Sequence, residues 1–125
     1  MHIAATIAVL VVAALHVYFL LLEMVFWTQP LGRKVFALEP AFAEATRGLA
    51  ANQGLYNGFL AAGLLWSVIA GSAATPDGRA IATFFLACVI VAGAFGAATV
   101  NRKILFVQAL PAVIALALVW LAPHG

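Results

Sequence analysis

The sequence predicts an all-α fold, a transmembrane four-helix bundle, and three observations carry that expectation. Of 125 residues, 66% are hydrophobic and only 8% charged, whereas soluble domains carry about 25% charged residues. The apolar residues gather in four runs, each near the ~20 residues that cross a bilayer's hydrocarbon core. The breaks between the runs hold most of the charge. Hydrocarbon offers no water to an unpaired backbone amide, so the spanning segments are expected to be helices.

The first run, Ile3–Trp27, is interrupted by His16 and Glu23. It lacks a basic leader and far exceeds the h-region of a signal peptide, about 7–15 residues, so it reads as a retained span. Thr28–Gly48 holds Pro30, Gly32, Pro40 and much of the charge and reads as a loop. Within it "EPAFAEATRG" is expected to form a short surface helix, with Phe36, Leu38 and Phe42 dipping into the interface. The second span is Leu49–Gly71, headed by "ANQGLYNGFLAAGLL". Ser72–Arg79 contains the turn signal "TPDG". Ala80–Val100 is the third span, Asn101–Lys103 a short hairpin, and Ile104–Leu121 the fourth span. Pro111 should bend that last helix and free the carbonyl of Val107. The whole, residues 1–125, is expected to be a single integral membrane domain.

Orientation follows from the cations. Arg33, Lys34 and Arg47 lie in the first loop, Arg102 and Lys103 in the third, and Arg79 alone on the opposite side. The positive-inside rule then puts the first and third loops in the cytoplasm and both termini outside. Trp27, Trp66 and Trp120 sit near span ends or in the outer halves, as interfacial anchors do.

The formal charge of +2 is too small and scattered for a nucleic-acid partner, and Cys88, the only cysteine, cannot form an intrachain disulfide. His16 and Glu23 are too few for a zinc or iron site. No second mid-membrane histidine is present for a bis-histidine haem, and no Ser–His–Asp arrangement or phosphate loop occurs. No cofactor or metal is therefore expected. His2 and His124 are terminal and carry no site signal.

The informative pattern is one of depth. Glu23 lies four residues before the cytoplasmic end of the first span. Asn52, Gln53, Tyr56 and Asn57 lie in the first three turns of the second, Thr99 at the end of the third, and Gln108 four residues into the fourth. A polar cluster in the cytoplasmic half of the bundle is the expectation. His16, Leu20, Glu23 and Trp27 share one helix face by spacing; so do Asn52 with Tyr56, and Gln53 with Asn57. Gly54 and Gly58 form a G-x-x-x-G pair, and Ala92, Gly96 and Thr99, with Gly93 beside them, a second small-residue stripe; both suit close helix packing. A carboxylate at a helix centre costs ~2.5–3.5 kcal/mol on insertion scales, less near the interface, and such residues mark functional sites by default. The structural alternative is a staple in which Glu23 accepts from Asn52, Gln53 or Tyr56. Interhelical bonds of that kind average only ~0.6 kcal/mol, a small return for burying a carboxylate.

The elements "LHVYFLLLEMVFW", "ANQGLYNGFLAAGL" and "AGAFGAAT", with a proline in the last helix, resemble a family of small bacterial integral membrane proteins catalogued as domain of unknown function 1304. The matching positions are His16, Glu23, Trp27, Asn52, Gln53, Gly54, Tyr56, Asn57, Gly58, Gly93, Gly96 and Thr99. The resemblance implies a four-span protein of the bacterial cytoplasmic (inner) membrane and brings no activity with it. In part the chain also resembles small multidrug resistance transporters, four-span proteins with a membrane-embedded glutamate in the first helix, where Glu23 stands here. It also echoes the four-span enzymes of eicosanoid and glutathione metabolism. Those carry an arginine, an asparagine and a glutamate where helix 2 begins; Arg47 and Asn52 match in kind, and Gln53 or Tyr56 replaces the acid.

The functional expectation is binding or transport of a small molecule, possible proton coupling included. Glu23 is the proton or cation acceptor, Asn52, Gln53 and Asn57 the orienting hydrogen bonders, and His16 a second titrating group. Tyr56 and Trp27, with Thr99 and Gln108, line the pocket. The first alternative is a membrane enzyme acting on a lipophilic or thiol-conjugated substrate, with Arg47 steering an anion. The second is a structural or partner-binding membrane protein. Expected partners are the lipid bilayer, a small-molecule ligand and further copies of the chain, meeting through the Gly54/Gly58 or Gly96 faces.

Overall fold

The chain enters its first helix, α1 (His2–Met24), on an almost unbroken apolar run. In the computed structural model residues 1–123 are described, and all their regular elements are helical; His124 lies outside the described residues. After α1 come two short helices, α2 (Pro30–Phe36) and α3 (Pro40–Ala45), each begun by a proline. Proline suits a first helical turn because its missing N–H has no partner there in any case. The α3 helix falls inside the segment expected to be helical, and α2 stands where a loop was expected. It ends at Ala37, which adopts a left-handed conformation (φ 53°), and Leu38 N–H closes back on the Arg33 carbonyl at 2.8 Å.

The long helix α4 (Arg47–Ile69) follows, then a 3₁₀ turn at Ser72–Ala74 and α5 (Pro76–Thr99). The sequence reading began this span at Ala80; the helix starts four residues earlier, and the physical reason is a cap. Thr75 Oγ1 accepts from Gly78 N–H at 3.0 Å and donates to the Ala70 carbonyl at 2.5 Å, with Pro76 in the first turn. The residues that read as a turn are the N-terminal signature of a helix. At Asn101–Lys103 the carboxamide of Asn101 accepts from Lys103 N–H at 2.9 Å, closing a tight turn of the Asx kind.

The last helix opens with a five-residue π-helical segment, Leu105–Ala109, and continues as α6 (Leu110–Leu121). Pro111 was expected to disturb the hydrogen bonding one turn before it. The disturbance takes the form of a widened turn, the way a helix accommodates a residue that breaks its i→i−4 ladder.

Among the described residues two helices, α1 and α5, are long and apolar enough to cross a membrane. At 23 and 24 residues they reach roughly 35 Å at 1.5 Å per residue. The α4 helix matches them in length, but Arg47, Asn52, Gln53, Tyr56 and Asn57 dilute its first half. The last helix is apolar and shorter.

Contacts gather into two compact units. The first comprises Met1–Leu15 together with the chain from Leu60 onward; the second is His16–Phe59. In the first unit the core is a set of helical stripes: Ala5, Val9 and Val12 from α1, Ala82, Leu86 and Val89 from α5, Ala112, Ala115 and Val119 from α6, with Leu64 from α4, all essentially without exposure. The steps of three and four keep each set on one face. Alanine and valine make up most of this set, and the alanines let the backbones come close, as in helices that associate by van der Waals fit. Gly93 lies against α6's leading segment: a Cβ there would come within 2.7 Å of Ala109 Cβ. A Cβ on Gly96 would meet Ile104 at 3.0 Å. Many other large apolar side chains of this unit point outward. Ile3, Ile69, Phe84, Val91, Phe95 and Leu121 are each more than 60% exposed, an arrangement suited to surroundings that are themselves apolar.

Candidate functional site

The second unit begins at His16, in the last third of α1, and its architecture rests on how closely α4 approaches that segment. Ala50, Gly54 and Asn57 are the buried positions of α4 here. At 100° per residue they fall within one narrow stripe. Gly54 is what lets the helices meet. A Cβ added to it would lie 2.6 Å from Met24 Cγ, 3.1 Å from Glu23 Cβ and 3.2 Å from the Leu20 carbonyl, and a Cβ on Gly58 would lie 2.8 Å from Leu20 Cδ1. The G-x-x-x-G face is therefore occupied by α1 of the same chain.

That approach sets Glu23 beside Asn57, one turn along α4 from Gly54. The Asn57 carboxamide nitrogen donates to Glu23 Oε1. Asn57 is only 6% exposed and Glu23 half-buried. A hydrogen bond to a charged acceptor is stronger than one between neutral groups, and a single donor leaves most of a carboxylate's acceptor sites open. The pair can thus take a proton or a cation at Glu23 while Asn57 fixes the carboxyl's orientation.

The other amides of α4 do not join the pair. Asn52 and Gln53 are exposed, and Tyr56 is 51% exposed with its ring against Phe59. The helix phase explains this: Asn52 faces away from the stripe, Tyr56 lies well round from it, and Gln53 sits on its flank. The sequence reading offered Asn52, Gln53 or Tyr56 as the donors in a structural staple, and the donor is Asn57.

His16 is fully buried and meets Phe19 edge-on, ring centroids 5.3 Å apart. Trp27, just past the end of α1, donates its indole N–H to Thr46 Oγ1 at 3.0 Å and packs on Phe36 at 5.0 Å. Thr46 in turn donates to the Phe42 carbonyl at 2.7 Å. Trp27 therefore ties the end of α1 to α2 and α3. Arg47 forms an exposed ion pair with Glu44 at 3.2 Å.

Thr99 and Gln108 belong to the other unit. Thr99 is exposed, and its hydroxyl donates to the Phe95 carbonyl one turn back. Gln108 is half-buried within the π-helical segment.

One residue that sequence reasoning used only for orientation proves to be built into the first unit. Arg79 is buried in α5, and its guanidinium donates to carbonyls at the end of α6. The acceptors lie 40 and 43 positions away in sequence, so no local signal marks them.

No curated protein and no solved structure matches the chain. A family model does, described as "Protein of unknown function (DUF1304)", and it covers residues 10–120. The match includes α2 to α5 entire, with Glu23, Gly54, Asn57 and Gly58, and the chain belongs to that DUF1304 family.

Proposed function

We propose that the chain is a four-span protein of the bacterial inner membrane, both termini outside, that binds or transports a small molecule through Glu23. The observation that carries this reading is the Glu23–Asn57 pair at the contact of α1 with α4. The α4 stripe sets a glycine at the close approach and an asparagine beside the carboxylate. An intramembrane carboxylate with a dedicated partner is a site for a proton, a cation or a cationic group. Glu23 accepts, Asn57 orients, and His16, buried on the same face of α1, is the second titrating group.

The remaining spans are α4 and the last helix. Both are less apolar or shorter than a lone span requires, and neighbouring helices make up the difference in a bundle. In this reading Asn52, Gln53 and Tyr56, exposed on α4, face a second copy of the chain, which removes three hydrogen-bonding groups from lipid. The enzyme reading has less behind it, because Arg47, its anion-steering residue, is engaged by Glu44.

The test is flux. Purified protein in liposomes is assayed for proton or cation movement against wild type, Glu23→Gln and Asn57→Ala. The proposal expects Glu23→Gln to abolish movement or binding while the protein stays folded. If Glu23→Gln lowers only the melting temperature and leaves ligand binding and flux intact, the pair is a staple and the functional reading is wrong.

A further inference from the structure

Arg79 is 6% exposed, in the first turn of α5. Its Nη1 donates to the Val119 carbonyl at 2.8 Å, and its Nη2 to the carbonyls of Ala73 at 2.8 Å and Ala122 at 3.2 Å. Three of a guanidinium's five N–H donors are thus spent on neutral acceptors. Among the described residues no carboxylate forms an ion pair with Arg79, although Asp77 shares the first turn of α5. Carbonyl dipoles and the face of Trp120, 5.2 Å away, offset the Arg79 charge in part. A charge withdrawn from water without a counter-ion is costly.

Beside this charge runs a groove of about 610 Å³, lined by Thr75, Arg79, Ala80, Thr83, Phe84 and Trp120 among others. That size falls within the roughly 300–1,000 Å³ of small-ligand sites. Its polar groups crowd at one place. Thr83 donates to the Arg79 carbonyl at 2.7 Å and accepts from the Trp120 indole N–H at 3.0 Å. The rest of the wall is alanine, proline, aromatic ring and Thr75, whose hydroxyl is bonded to the Ala70 carbonyl and Gly78 N–H. An occupant must therefore combine a negative head with a hydrocarbon body. All these residues belong to one compact unit.

We infer that the groove binds an anionic phospholipid, with its head at Arg79 and an acyl chain along Phe84 and Trp120. The inference rests on the membrane reading, which supplies the lipid, and is independent of Glu23. A free fatty acid shares the chemistry without the glycerol backbone, so the experiment includes it.

The test is native mass spectrometry of the detergent-purified protein offered equal amounts of phosphatidylglycerol, phosphatidylcholine and oleate. The expected result is retention of phosphatidylglycerol over phosphatidylcholine by about fivefold, equivalent to ~1 kcal/mol. Arg79→Gln should bring the two to parity. Because that variant also gives up the carbonyl bonds and can fail to fold, Ala80→Trp is run beside it. This substitution fills the groove, leaves the guanidinium in place, and should cut bound phosphatidylglycerol severalfold. Parity between the two head groups in wild type, or unchanged retention in Ala80→Trp, overturns the lipid site alone. Oleate retained in place of phosphatidylglycerol overturns the phospholipid assignment. A chain recovered outside the membrane fraction overturns both the site and the membrane reading.

Discussion

Gly54 faces Glu23 so closely that a methyl group on its Cα would sit 3.1 Å from the Glu23 Cβ. The glycine and the carboxylate are one device: the missing side chain brings α4 near enough for Asn57 to reach the acid. Gly54→Ala should be tolerated at a cost of about 1–3 kcal/mol, because the nearest atom, Met24 Cγ at 2.6 Å, belongs to a flexible side chain that can move. Gly54→Leu should cost more and separate the helices, since the Leu20 carbonyl behind it cannot yield. Thermal unfolding in detergent ranks the two, and equal melting temperatures would contradict the close approach.

The start of α5 offers a second check. Thr75 both accepts from Gly78 N–H and donates to the Ala70 carbonyl. Thr75→Ser keeps both bonds and should be near neutral. Thr75→Ala loses the cap, worth about 0.5–2 kcal/mol. Equal stability of the alanine and serine variants would mean that the cap contributes nothing.

Trp27 gives a third. Trp27→Phe keeps the ring packing on Phe36 and removes the bond to Thr46. The Thr46 hydroxyl retains its bond to the Phe42 carbonyl, so it is not left orphaned. The expected loss is the net value of one neutral hydrogen bond, about 0.5–1.5 kcal/mol. Amide exchange in α3 should quicken relative to α5, and uniform exchange across the chain would tell against a local tie.

Much of this was legible in the sequence, and the rest was hidden for identifiable reasons. Long apolar runs marked α1, α4, α5 and the last helix as helices, and among the described residues α1 and α5 are long and apolar enough to cross a membrane. The start of α5 was misplaced because Thr75-Pro76-Asp77-Gly78 can end a loop or begin a helix, and only the Gly78 N–H bond to Thr75 decides. The carboxylate of Glu23 and the glycine pair stood out by type alone. Which amide would meet the acid did not, since four polar side chains crowd the same turns of α4 and helix phase selects Asn57. Arg79 looked like a loop cation, and its carbonyl partners on α6 follow from tertiary packing. Pro111 announced a distortion but left its form open: the π-helical turn around Gln108.

The pair itself supports the most discriminating prediction. Asn57→Ala removes the donor and leaves the Glu23 carboxyl half-buried without its partner. Interhelical bonds in membranes average ~0.6 kcal/mol with a maximum near 1.7, and an abandoned buried acceptor adds to the loss, so roughly 1–2 kcal/mol is expected. Glu23→Gln retains an acceptor for Asn57 and should lose less. Glu23→Gln with Asn57→Ala removes the charge and its partner together, and should be no less stable than Asn57→Ala alone, because the cost lies in the stranded carboxylate. Flux or ligand binding should follow a different order, with both variants lacking Glu23 inactive and Asn57→Ala retaining part of its activity. A melting series in detergent, set against the liposome assay, measures both orders. If stability and activity fall in the same order across the three variants, Glu23 is a structural residue whose loss merely unfolds the protein.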